Sequence, residues 1–307
     1  MQQPDKQQIT TYLQGLQDQI CHALEATDGA AGTPPGTFRE DHWERPGGGG
    51  GRSRIMADGA VIEKGGVGFS AVHGEASEAT LRQLNVTEPA EFYATGISIV
   101  IHPRNPRVPI IHMNIRYFEM STGQYWFGGG IDLTPHYVVP DDARWFHEHL
   151  KRTCDVHNPV YYPRFKTWAD DYFYIPHRQE TRGIGGIFFD YLKDDESTTK
   201  ADIFDFWKAV GESFAPIYTH FMRQNRNLPF TPRETHWQGL RRGRYVEFNL
   251  AWDRGTKFGL ETNGRTESIL MSMPPQANWI YDYHPELDSP EADTLAWLRK
   301  GVDWMAS

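Results

Sequence analysis

The chain has 307 residues, 39% of them apolar and 13% aromatic, which is enough for one large core or two ordinary ones. A net charge of −9 at pH 7 excludes a surface built for nucleic acid or anionic membrane, so an anionic ligand needs a local basic pocket. No apolar run reaches the length of a membrane span, no charged-then-apolar leader opens the chain, and Cys21 and Cys154 lie far apart without metal-ligand spacing; the expectation is a soluble, cytoplasmic protein without a disulfide framework.

In chain order, Ile9, Tyr12, Leu13, Leu16, Ile20 and Leu24 recur at helical spacing, which predicts an amphipathic helix over 8–26. TPPG at 33–36 breaks the chain, and five glycines at 47–51 precede Arg52 and Arg54. By composition the glycine run is a linker; its position before strand-like segments at 53–73 leaves open a close approach of backbone and guanidinium groups to an anion. Residues 95–134 then read as three consecutive antiparallel strands. Period two splits them cleanly. Ile97, Ile99 and Ile101 oppose Ser98, Val100 and His102, while Ile111, Met113, Ile115 and Tyr117 oppose Ile110, His112, Asn114, Arg116 and Phe118. The apolar side is a core face. The Ser/His/Asn/Arg side is either a solvated face or the floor of a polar pocket.

Further on, 141–151 reads as a helix, Pro163 opens another with Phe165, Trp168, Ala169 and Tyr172 inward, and 187–191 is a strand. Residues 201–223 form a long amphipathic helix kinked at Pro216. Over 241–272 period two again divides the chain, with Tyr245, Glu247, Asn249, Ala251 and Asp253 opposing Val246, Phe248, Leu250 and Trp252. The expectation there is a strand, a DRGT turn, a return strand over 257–262 and a hairpin at Asn263-Gly264, with Arg241, Arg242, Arg244, Arg254 and Arg265 clustered beside the polar face. Ser289 before Pro290, Glu291 and Asp293 marks the last helix. One α+β domain over 1–307 is the simplest organisation. The histidines show no metal-binding pair on a helix, and no phosphate loop, dinucleotide fingerprint or nucleophile elbow is present, which leaves acid/base chemistry and positioned arginines.

Six stretches carry a resemblance: FSAVHGE (69–75), HPRNPRVP (102–109), WFGGGIDLTP (126–135), DDYFYIPHRQETRGIGGIFFD (170–190), RRGRYVEFNLAWDRGT (241–256) and GRTESILMSMPP (264–275). In this order, from the first helix almost to the C-terminus, they resemble the oxygen-dependent coproporphyrinogen III oxidases, most closely the bacterial branch. The resemblance implies a large flat antiparallel sheet flanked by helices on both faces. It implies a homodimer with residues 242–278 near the interface, and oxidative decarboxylation of two propionates of coproporphyrinogen III to vinyl groups in heme biosynthesis. O2 is the co-substrate, no organic cofactor is involved, and a divalent metal, Mn2+ or Mg2+, is implied for the bacterial branch. Carried over residue by residue, it implies substrate contacts at Ser98, Asn114, Ile115, Arg116, Asn263, Gly264 and Arg265. His112 corresponds to a proton donor, Asp253 and Arg254 to a pair holding pyrrole nitrogens and a propionate, and His102, His112, His147 and His177 to metal ligands. Such a substrate asks for arginines to match its carboxylates, because a carboxylate buried without a partner costs several kcal/mol.

Overall fold

The computed structural model describes residues 3–30, 32–261 and 264–306. Its elements are α1 (Lys6–Thr27), β1 (Arg39–Glu44), β2 (Gly49–Ala57), β3 (Ile62–Glu75), α2 (Glu78–Gln83), β4 (Glu91–Pro103), β5 (Ile110–Met120), β6 (Tyr125–Thr134), α3 (Pro140–Asp155) and α4 (Tyr161–Tyr172). There follow β7 (Tyr174–Ile175), β8 (Glu180–Thr181), β9 (Gly186–Leu192), α5 (Lys200–Asn225), α6 (Pro232–Ala251), α7 (Arg254–Glu261), α8 (Thr266–Leu270) and α9 (Pro290–Trp297). A seven-stranded sheet in the order β1-β2-β3-β4-β5-β6-β9 pairs antiparallel throughout. The expected α+β class with a large antiparallel sheet between helices is what the chain forms.

One face of the sheet carries the main core. Val67, Ile97, Ile99, Ile101, Ile111, Met113, Ile115, Phe127 and Ile131 pack there against the apolar stripes of α1 and α5. Asp5 and Gln8 close a capping box at the start of α1, and Thr199 and Asp202 do the same for α5. α5 runs through Pro216 and buries Phe206, Trp207, Val210, Phe214 and Phe221; each large side chain contributes about 1.5–3 kcal/mol of transfer free energy. At Gly211 a Cβ would stand 2.7 Å from Leu16 Cδ2 and 2.9 Å from Ile115 Cδ1, so glycine is what lets α1, α5 and β5 meet. Ile115 therefore spends its side chain on this core. Neighbours of a polar-face residue in a strand point the other way, which leaves only the Ile115 backbone to the polar face.

A buried carboxylate fastens the end of α1 to the sheet. Asp28, fully buried, accepts from the backbone N–H groups of Gly36, Ala60, Val61 and Ile62 at 2.7–3.1 Å. Asp28→Ala leaves four backbone donors without a partner, and we expect a loss of about 3 kcal/mol in urea unfolding. A loss under about 1 kcal/mol would mean that water replaces the carboxylate.

α6 and the segment around α8 dock on the polar face beside an open central strip, and here the sequence expectation fails. Residues 232–251 are one helix, not strands. Its buried positions, Trp237, Leu240, Arg241, Tyr245, Phe248 and Asn249, follow the helical period, and Thr231 and Glu234 form a capping box around Pro232. Residues 254–261 are helical as well, and Asp253 accepts from the Thr256 N–H at 2.7 Å in the manner of an N-cap. Thr262, the end of the expected return strand, and Asn263, the first residue of the expected Asn263-Gly264 hairpin, lie outside the described residues.

Candidate active site

The sheet register brings the site together. Asp41, Ser53, Gly68, Ser98, Asn114, Gly130 and Phe188 are successive partners across all seven strands, and partners in a ladder share a face. On the flanking rows Val100 pairs with His112 and His112 with Asp132, while Gly96 pairs with Arg116 and Arg116 with Gly128. Ser98 is exposed in the middle of the sheet, and Asn114, Arg116 and His112 are half-buried. These four positions form one strip, with glycines where side chains would fill it.

Each strip residue is oriented by a neighbour. Arg116 donates to Asn114 Oδ1 at 3.0 Å and to Asp190 at 2.6 Å, lying over Gly128, where a Cβ would stand 3.0 Å from its Nε. His112 Nδ1 meets Asp132 Oδ1 at 2.7 Å. A carboxylate only accepts, so Nδ1 carries the hydrogen and Nε2 is left to exchange a proton with a ligand.

Behind His112 lies a buried ion pair that the sequence reading missed. Arg182 donates to both oxygens of Asp132 at 2.8–2.9 Å and to Asn249 Oδ1 at 2.8 Å, with its guanidinium 4.5–4.7 Å from the ring centroids of Phe173, Tyr245 and Phe248. Burial alone would raise the Asp132 carboxyl; Arg182 and His112 beside it hold it below its ordinary value, so the pair stays ionised. Both residues stand inside stretches quoted above. A lone carboxylate within the apolar GGGIDLT run was the available signal, and its partner fifty residues on was not visible.

Asp253 closes one end of the strip. Its Oδ1 accepts from Tyr172 Oη at 2.8 Å, and Tyr172 stacks on Phe188 with centroids 4.0 Å apart, directly beside Gly130 in the register. Burial, with the Asp253 charge second, raises the Tyr172 hydroxyl above its ordinary value and keeps it a donor. Arg254 is exposed at the start of α7. Gly264 is exposed, and Arg265 is bound to Asp41 at 2.6 Å, at the far end of the same row.

The expected arginine cluster is largely spent on internal partners: Arg241 on Glu180, Arg242 on Glu63 and Arg244 on Glu247. Glu247 also binds His177, Arg178 and Trp279. Burial works against it, yet these donors bring its carboxyl down to about 2. Because the folded value lies below the ordinary 4.5, the stabilisation is complete above that pH and is lost as pH falls toward 2. Between pH 4.5 and 2, wild type should lose stability more steeply than Glu247→Gln; parallel acid-unfolding curves would remove this residue from the acid response.

The four histidines implied as metal ligands do not come together in the chain. His147, pushed down to about 3 by burial, has Nδ1 against Tyr162 Oη and Nε2 against the Ile184 carbonyl. His102 is bonded to the Ser272 carbonyl, His177 lies between Glu247 and Trp252, and His112 is on Asp132. Among the described residues no three His, Cys, Asp or Glu side chains are grouped to hold a metal ion. The set does not fit a shared ion, and no chemistry is routed through one here. The glycine run at 47–51 is neither a linker nor an anion loop: it turns β1 into β2, with Arg52 and Arg54 paired to Asp18 and Glu40. A cleft of about 730 Å3 lined by Trp145, His149 and His220 and a smaller one of about 100 Å3 around Arg107 and Leu133 include none of the strip residues in their walls.

With this geometry in place, comparison with known proteins is unambiguous. The family model for coproporphyrinogen III oxidase matches residues 8–304. A Prochlorococcus marinus protein named oxygen-dependent coproporphyrinogen-III oxidase is 45% identical over 330 aligned positions, covering 99% of this chain and 94% of that protein. The Ser/Asn/Arg strip, its glycine neighbours and the carboxylate at its end thus stand in a chain that belongs to the coproporphyrinogen III oxidase family.

Proposed function

We infer that this chain converts two propionates of coproporphyrinogen III to vinyl groups with O2, giving protoporphyrinogen IX in heme biosynthesis, and that the strip Ser98–Asn114–Gly130 is the floor on which the tetrapyrrole lies. The observation that carries this is an open polar strip in the centre of a seven-stranded sheet, with Arg116 and His112 beside it and Asp253 at its end. Floor glycines leave room for the flexible tetrapyrrole, Phe188 and Tyr172 supply an apolar wall, and Arg116 matches a propionate with a forked donor.

In the reaction, R–CH2–CH2–COOH and O2 become R–CH=CH2, CO2 and H2O2. Asp253 takes the pyrrole N–H proton, which makes the ring electron-rich enough to react with oxygen directly. A hydrogen leaves the propionate β-carbon to the oxygen, the electrons of the breaking C–CO2 bond become the vinyl double bond, the carboxyl proton completes H2O2, and Asp253 returns its proton to the pyrrole nitrogen. His112 Nε2 exchanges a proton at the strip, fixed by Asp132 through Nδ1. Oxygen serves as co-substrate, without an organic cofactor.

The same reading makes the enzyme a homodimer with residues 242–278 near the interface. Leu250, Trp252, Leu260 and Leu270 expose apolar surface within that region, and Trp279, Ile280 and Tyr281 follow it. We place it in the cytoplasm on the strength of two free, buried cysteines. No helix among the described residues is long and apolar enough to cross a membrane.

Oxygen-electrode and CO2 measurements test the chemistry. Two O2 consumed and two CO2 released per protoporphyrinogen IX are expected, in protein treated with EDTA as well as untreated. Turnover that appears only after Mn2+ or Mg2+ is added back would contradict the metal-free scheme.

A further inference from the structure

Segment 264–273 crosses the polar face, touching one strand after another. Arg265 reaches Asp41 of β1 at 2.6 Å, and Ser268 Oγ lies 3.3 Å from Ser53 Oγ of β2. Lys64 of β3 donates to the Met273 carbonyl at 2.8 Å, and His102 of β4 to the Ser272 carbonyl at 2.9 Å. Between these polar ties the Met271 side chain, 6% exposed beside a Leu270 that is 36% exposed, lies in a seat made by two glycines of β3. A Cβ on Gly66 would stand 2.2 Å from both Met271 Cγ and Sδ, and one on Gly68 3.3 Å from Cε. No other residue type leaves that seat open. Methionine, unbranched and flexible, suits so narrow a slot.

Gly68 pairs with Ser98, so the seat borders the open strip on the side opposite Phe188 and Tyr172. We propose that Met271, seated between Gly66 and Gly68, is a positioning residue for the tetrapyrrole: it clamps segment 264–273 to the sheet, fixes Gly264 and Arg265 over the β1 end of the row, and forms the wall of the strip beside Ser98. The proposal rests on the reading of that strip as the substrate floor. Without the clamp the four polar ties alone hold the segment, and once it lifts and water reaches them their net worth falls to that of exposed hydrogen bonds.

Hydrogen exchange on the ligand-free protein tests the clamp independently of turnover. In Met271→Ala and Gly66→Ala, amides of 264–273 should exchange about tenfold faster while those of β4 to β6 keep their wild-type protection. Met271→Leu, of similar volume, should stay within about threefold of wild type. In steady state, KM for coproporphyrinogen III should rise about tenfold in the two clamp variants with kcat changed less than about threefold, the signature of lost positioning rather than lost chemistry. Unchanged exchange in Met271→Ala, or faster exchange spread through the whole sheet, overturns the clamp. Faster exchange confined to 264–273 with an unchanged KM overturns the positioning role. A wild-type protein that turns over nothing while the local exchange result holds removes the substrate reading and leaves the clamp standing.

Discussion

Arg182→Ala should cost about 3–5 kcal/mol of folding free energy, the largest single loss we expect outside the main core. Arg182 and Asp132 are 2% and 1% exposed, so alanine leaves a buried carboxylate without its partner and opens a void between three aromatic rings. Asp132 would recover by taking up a proton, and His112 would lose the anion that orients it. Lysine should not rescue the variant, because its compact ammonium lacks the planar fork that spans Asp132 and Asn249 while stacking among the rings. Urea unfolding of Arg182→Ala, Arg182→Lys and Asp132→Asn reads these losses. A cost below about 1 kcal/mol in Arg182→Ala would mean the pair is wetter than its burial indicates.

The second large effect is on turnover. Asp253→Asn should lower kcat by about 10²–10⁴-fold, the usual worth of a positioned general base. The variant should fold, because asparagine is a good N-cap and its single oxygen still accepts from either Tyr172 or the Thr256 N–H, at a cost of about 1 kcal/mol. Thermal unfolding beside steady-state rates separates the two contributions. Wild-type kcat in the variant would take the base assignment away from Asp253.

How far the site was legible depended on whether its order was local or long-range. In β4 and β5 the alternation of Ile with Ser, His, Asn and Arg continues long enough that only one face can be the core, and Ser98, Asn114, Arg116 and His112 followed directly. The same alternation misled over 241–253. There, aromatic and polar residues satisfy period two by coincidence, while the burial of Trp237, Arg241, Tyr245 and Phe248 follows the helix. Thr231-Pro232-Arg233-Glu234 was the signal that decides between them, since a capping box with proline at the first position opens a helix. Asp253 stands at a helix N-terminus rather than in a strand, its bond to the Thr256 N–H set within four residues. The Asp132–Arg182 pair and the Met271 seat join positions 50 and about 200 residues apart, and such partners are fixed by sheet register and docking rather than by any local pattern.

The most direct measurement is turnover of coproporphyrinogen III by wild type and by Ser98→Trp, each in air and under argon, read as protoporphyrin fluorescence after oxidation. Ser98 is exposed at the centre of the sheet, so an indole there fills the strip without entering the core. The account predicts product from wild type in air only, and none above background from a folded Ser98→Trp under either gas. Wild-type turnover by Ser98→Trp would mean that the tetrapyrrole lies elsewhere, and product under argon would mean that the chemistry does not run on oxygen.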